Sequence, residues 1–118
     1  MTKGLDSESG EETPENVELE VAQLRAPNEK RGLVIYEMNV CAVISKPDAE
    51  TCEKLLEEKK WTIQDRLCGV IRNADPKDLQ NNLDVIRRKF KTELTDVLGK
   101  KDMIKEILIP RVVPFSAN

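Results

Sequence analysis

The stretch MIKEILIPRVVPF, residues 103–115, decides how the chain is put together. It is apolar, rich in β-branched residues, and follows a long region of helical spacing. Ile104 and Leu108 fall on one side of an alternating pattern, and Met103, Ile107, Ile109 and Val113 on the other, so it reads as a strand. Pro110 cannot donate to a ladder, which confines such a strand to a sheet edge or places a bulge at the proline. The strands it joins must lie earlier in the chain.

Two earlier runs qualify. In LVIYEMNVCAVIS (residues 33–45), Val34, Tyr36, Met38, Val40, Ala42 and Ile44 form an unbroken apolar side. The other side mixes Leu33, Ile35 and Val43 with Glu37, Asn39 and Cys41, the pattern of a strand with one face on a core and one partly wet. In VELEVAQL (residues 17–24), Val17, Leu19 and Val21 oppose Glu18, Glu20 and Ala22. Between them RAPNEKRG, with its Pro, Asn and Gly, reads as the loop of a long hairpin. Residues 1–16 are dominated by Glu, Ser, Gly and Thr and bury too little to offset their ordering entropy, so a disordered acidic tail or linker is expected there. Residues 17–118 form a single domain.

The middle of the chain is helical. Ser45 or Lys46 precedes Pro47, with Asp48 and Glu50 placed for the positive end of a helix dipole. Cys52, Leu55, Leu56, Ile63, Leu67, Val70 and Ile71 recur at helical spacing, and the polar run EEKKWT between them predicts a break. Trp61, near that break, is expected to anchor the core. Asp75 can cap a further helix, with Pro76 first and Asp78 third. That helix should carry Leu79, Leu83, Ile86, Phe90, Leu94 and Leu98 on one stripe and end at Gly99. The fold class is therefore α+β: a small antiparallel sheet, made of the N-terminal hairpin and a C-terminal edge strand, packed against two or three helices.

Composition narrows the function. The chain has 118 residues, no His, and only 3% aromatics against 35% charged residues. The missing imidazole removes the commonest general acid/base and zinc ligand, and so few rings argue against a base-stacking platform. Residues 1–28 hold seven acids and two bases, the remainder 15 acids and 17 bases, so the folded part is close to neutral. No strong field points to nucleic acid or an anionic membrane. Three widely spaced cysteines, Cys41, Cys52 and Cys68, read as small buried hydrophobes. No apolar run approaches the ~20 residues of a spanning helix.

Asp75 and Asp78 are explained by capping, the glycines form no phosphate loop, and no nucleophile has a marked base. No enzyme, cofactor or metal site is expected. The one basic cluster, RRKFK (residues 87–91), should bury Phe90 and turn Arg87, Arg88 and Lys91 outward, where Glu93 and Asp96 can pair with them or an acidic partner can dock.

In their order, these signals resemble the extracytoplasmic domain of the flagellar basal-body-associated FliL family. The resemblance runs from about residue 17 to residue 115. It rests on TIQDRLCGVIRNADPKDL, LDVIRRKFKTELTDVLGKK and MIKEILIPRVVPF, in which Arg72, Asp78-Leu79, Ile86, Glu93-Leu94, Leu98 and Ile104-Lys105-Glu106 fall at the family's positions. It implies a stomatin-like α+β domain that is not an enzyme and serves bacterial motility and chemotaxis by associating with the basal body and supporting stator units. The implied partners are further copies of itself, as a homo-oligomer, and stator or basal-body proteins, with no nucleic acid. The implied place is the periplasmic face of the inner membrane, held by an upstream membrane helix; without one, the expectation is cytoplasmic. Ile107, Ile109, Val112 and Phe115, together with the strand from Val17 to Leu24, are the expected self-association surface, with Arg87, Arg88 and Lys91 as the second candidate. The competing expectation is a small soluble interaction module unrelated to flagella.

Overall fold

The computed structural model describes residues 15–116. Strands β1 (Asn16–Asn28), β2 (Val34–Ser45) and β3 (Ile104–Ser116) form an antiparallel sheet of order β1-β2-β3. Between β2 and β3 come a 3-10 turn (Lys46–Asp48) and helices α1 (Ala49–Glu58), α2 (Lys60–Asn73), α3 (Pro76–Asn81) and α4 (Leu83–Leu98). This is the α+β architecture expected, with the hairpin first and β3 closing the other edge. The tail expected over residues 1–16 lies mostly outside the described residues. Its last residue, Asn16, already pairs with Ser45 in β1, and the Glu15 carbonyl accepts a bond of 2.8 Å from the Lys46 amide.

Strand β2 organises the core. Tyr36, Met38, Val40, Ala42 and Ile44 are all buried beneath the helix layer, where α2 packs on β1 and α4 on β3. From the helices, Ile63, Leu67 and Ile71 of α2 and Ile86, Phe90 and Leu94 of α4 meet them, each fully buried. Burying an aliphatic or aromatic side chain of this size contributes about 1.5–3 kcal/mol.

Simple alternation fails where the strands bulge. In β1 the register shifts between Glu20 and Ala22, so Val21 is the extra residue. Beyond it Ala22, paired with Val40, joins the core side rather than the glutamate side, and Leu24 and Ala26 follow. β1 then continues through Pro27 and Asn28 into the segment expected as loop, leaving a short turn in which Gly32 takes φ 83°. In β3 two residues, Ile109 and Pro110, lie opposite Val40, which is the bulge expected at the proline. A second bulge falls at Lys105. Consequently Ile104, Ile107 and Ile109 all face the helices, and Leu108, opposite Cys41, faces away. The side assignments drawn from strict alternation are corrected accordingly.

The helices depart from expectation twice. The break in EEKKWT occurs as anticipated, at Lys59 (φ −110°, ψ 19°), but Trp61 is 75% exposed and anchors nothing in the core. The buried stripe of α2 is Ile63, Leu67 and Ile71, and Trp61 lies two residues before it, roughly 200° around the helix. The long helix expected from Asp75 to Leu98 is two helices, parted at Asn82 (φ −144°, ψ 63°). Asp75 does cap the first through a bond of 2.9 Å from the Lys77 amide, and Gly99 (φ 73°) ends the second.

One buried polar side chain ties the layers together. Asn28, at the end of β1, donates from Nδ2 to the carbonyls of Ile71 (2.9 Å) and Ala74 (2.8 Å), closing the C-terminus of α2. Its Oδ1 accepts from the Lys30 amide, and Lys30 Nζ donates to the Asn73 carbonyl at 2.7 Å. Helix C-termini leave carbonyls without intrahelical partners, and here a strand end supplies the donors. Asn28→Ala strands two acceptors away from water and should cost about 2–4 kcal/mol in a urea titration; a loss below about 0.5 kcal/mol would show that the lock is dispensable.

Candidate functional site

The residues expected to form a self-association surface divide. Ile107 and Ile109 are 2% and 8% exposed and belong to the chain's own core, so they present nothing to a neighbour. Val112 is half-buried beside them, and only Phe115, at 45%, is exposed. Strand pairing along β3 is also obstructed. Pro114, paired with Tyr36, has no N–H to offer on the unpaired side, and Pro110, inside the bulge, interrupts the regular ladder. The opposite edge carries Glu18, Glu20, the Val21 bulge and Pro27.

The face of the sheet away from the helices is half apolar. Registers across the three strands place Glu20, Cys41 and Leu108 in one row, Arg25, Glu37 and Val113 in another, and Pro27, Ile35 and Phe115 at the end. Arg25 crosses this face, binding Glu37 at 2.8 Å with its guanidinium 6.0 Å from the Phe115 ring. Leu33, 39% exposed, extends the apolar end.

On the other side of the molecule a cleft of about 600 Å³ runs between α2 and α4. Gly69, Val70 and Val85 contribute its low apolar part, and Arg72, Arg88, Lys89, Asp65 and Glu93 its polar rim. The basic cluster is thereby split. Arg87 pairs with Asp84, Lys91 Nζ donates to the Lys105 carbonyl at 3.4 Å, and Arg88 and Lys89 line the cleft. Glu93 and Asp96, expected as partners within the helix, are instead held by Arg66 of α2 at 2.9 and 3.0 Å. Those two bonds raise the Arg66 pKa further, Asp96 contributing most. The contribution of Arg66 was not visible in the sequence, because it depends on α2 and α4 lying side by side.

Gly69 is the second feature of the cleft that sequence reading passed over. It sits inside α2, where glycine costs about 1 kcal/mol relative to alanine. A methyl group there would meet only the Arg72 guanidinium, at an ordinary 3.8 Å, so packing does not require the glycine.

Cys52 and Cys68 are buried, and Cys41 is half-buried on the open sheet face; all three are free thiols. Burial is the main cause that pushes each thiol pKa up; Glu20 and Glu18 add to it at Cys41, and Asp48 and Glu53 at Cys52. Held protonated, they are poor nucleophiles. Among the described residues no group of three or more His, Cys, Asp or Glu could hold a metal ion, and no helix is long and apolar enough to cross a membrane. Compared with models of protein families and with curated protein sequences, the chain gives no match.

Two outcomes follow from this geometry. Gly69→Ala should raise stability by about 0.5–1 kcal/mol in chemical denaturation, and a loss would mean that the backbone there needs the glycine. The folded thiols hold their protons more tightly than the unfolded ones, so their stabilising effect is complete below the ordinary value of 9.0 and is lost as pH rises past it. The urea midpoint should therefore drop above about pH 9, and a Cys52→Ala/Cys68→Ala variant should show a shallower drop; equal slopes would exclude the thiols as the cause.

Proposed function

We propose that this chain is a FliL-like, non-enzymatic accessory of the bacterial flagellar motor, acting at the basal body by binding other proteins and supporting stator units. The observation that carries the reading is the order of elements around the motifs: a strand pair, a short helix, a helix bearing Ile63 to Arg72, a capped Asp78-Leu79 helix start, a long helix with Ile86, Leu94 and Leu98, and a closing strand opened by Ile104. The protonated thiols and the use of Asp75 as a cap favour a binding role over catalysis. Self-association, where it occurs, uses the open sheet face with Phe115 and Leu33 rather than the blocked β3 edge. The motor lies at the inner membrane, and the proposed place of this domain is the periplasmic face where a membrane helix upstream of these 118 residues holds it, and the cytoplasm otherwise.

Deletion of the gene should leave flagella assembled but weaken or abolish swimming in viscous medium, and restoring the gene should recover it. Unchanged swimming with assembled flagella would overturn the motor role and leave the small interaction module as the reading to pursue.

A further inference from the structure

We propose that the cleft between α2 and α4 is a docking site for an acidic, amphipathic helical segment of another protein. The inference stands on the cleft itself and does not depend on the motor role.

Three observations meet there. The first is an imbalance of charge. Arg72 from the α2 wall and Arg88 and Lys89 from the α4 wall line the cleft, and none makes an ion pair among the described residues. Of the carboxylates nearest to Arg88 and Lys89 in sequence, Asp84 is held by Arg87 and Glu93 by Arg66. Asp75, nearest to Arg72, accepts from the Lys77 amide, and Asp65 is the cleft's other carboxylate, so cations outnumber acids along its walls. An arriving segment therefore meets cations that the fold itself leaves available. The second is shape. The cleft is open along its length, which suits side chains projecting from a macromolecule better than a small molecule that must be enclosed. Its α2 wall from Asp65 to Asn73 is about 12 Å long, two turns of a helix. The third is Gly69. The helix gives up propensity at a cleft-lining position where a methyl group would meet only the Arg72 guanidinium, so the glycine leaves that part of the α2 wall without a side chain.

The acidic N-terminal stretch of the same chain is a poor occupant on reach. Arg72 lies at the end of α2 that Asn28 closes, and β1 separates that level from Glu15 by about 40 Å. Asp6 stands nine residues before Glu15 and spans about 31 Å at full extension; Glu8, Glu11 and Glu12 span less.

The test is fluorescence anisotropy with the full chain and a labelled peptide of about 14 residues, leucine and glutamate at helical spacing, with a leucine–lysine peptide as control. The acidic peptide should bind and the basic one should not. Arg88→Glu/Lys89→Glu should weaken binding by about tenfold or more, while Lys46→Glu/Lys54→Glu, outside the cleft, should leave it unchanged. Gly69→Met should also weaken binding although its melting temperature is no lower than that of the parent chain, which separates a filled cleft from a damaged fold. No binding, equal binding of the lysine peptide, or equal losses from the two charge-reversed variants would overturn the proposal. Tighter binding after Asp6, Glu8, Glu11 and Glu12 are changed to serine would also overturn it, by showing that the chain's own N-terminal stretch competes for the cleft.

Discussion

Strand β2 cannot be left uncovered. Five alternate side chains, Tyr36 to Ile44, must leave water on one face of a strand that is hydrogen-bonded on both edges. A strand pair does not have the area to shelter them, so α2 and α4 are drawn over β1 and β3, and the sequence between the strands must supply helices long enough to cover the sheet. The placement of Asn28 follows from the same constraint. Once α2 lies flat on β1, its C-terminal carbonyls are carried into the interior at the end of the strand, where only a side-chain amide can reach two of them.

What could be read in the sequence was what depends on short-range periodicity. The apolar side of β2, the stripe from Ile86 to Leu98, the Asp75 cap and the Gly99 stop all arise within a turn or a few residues, and each stands where spacing puts it. The misplacements have a common cause. Val21, Lys105 and the Ile109–Pro110 pair each insert a residue that reverses the alternation after it, and only the facing strand reveals an insertion of this kind. The parting at Asn82 was hidden because Leu79, Leu83 and Ile86 keep helical spacing across it. Trp61 is large enough to suggest the core, but two residues before Ile63 its phase on α2 turns it to solvent.

The candidate surfaces were legible only in part. Arg88 was marked by its basic neighbours, yet its companions Arg72 and Gly69 come from another helix, and nothing local predicts which carboxylates Arg66 will consume. The pairing of Arg66 with two acids on α4 bridges the helices at one end of the cleft, leaving the cations at the other end free of local neutralisation. Ile107 and Ile109 looked like a sticky edge because a strand near the end of the chain has no visible cover; α4 supplies that cover. Their burial moves any contact with another molecule from the sheet's edges to its faces.

The order of the strands also sets a timetable for synthesis. β2 joins the sheet with β3 as its second neighbour, yet Ile104, the partner of Ile44, is made only after the whole helical middle. At typical translation rates of about 5–20 residues per second, the gap lasts roughly 3–12 seconds. During that interval Met38, Val40 and Ala42 have the hairpin and the nascent helices for shelter but no closing strand. The emerging chain is a half-built sheet with its apolar centre at an open border, the form in which a chaperone would meet it.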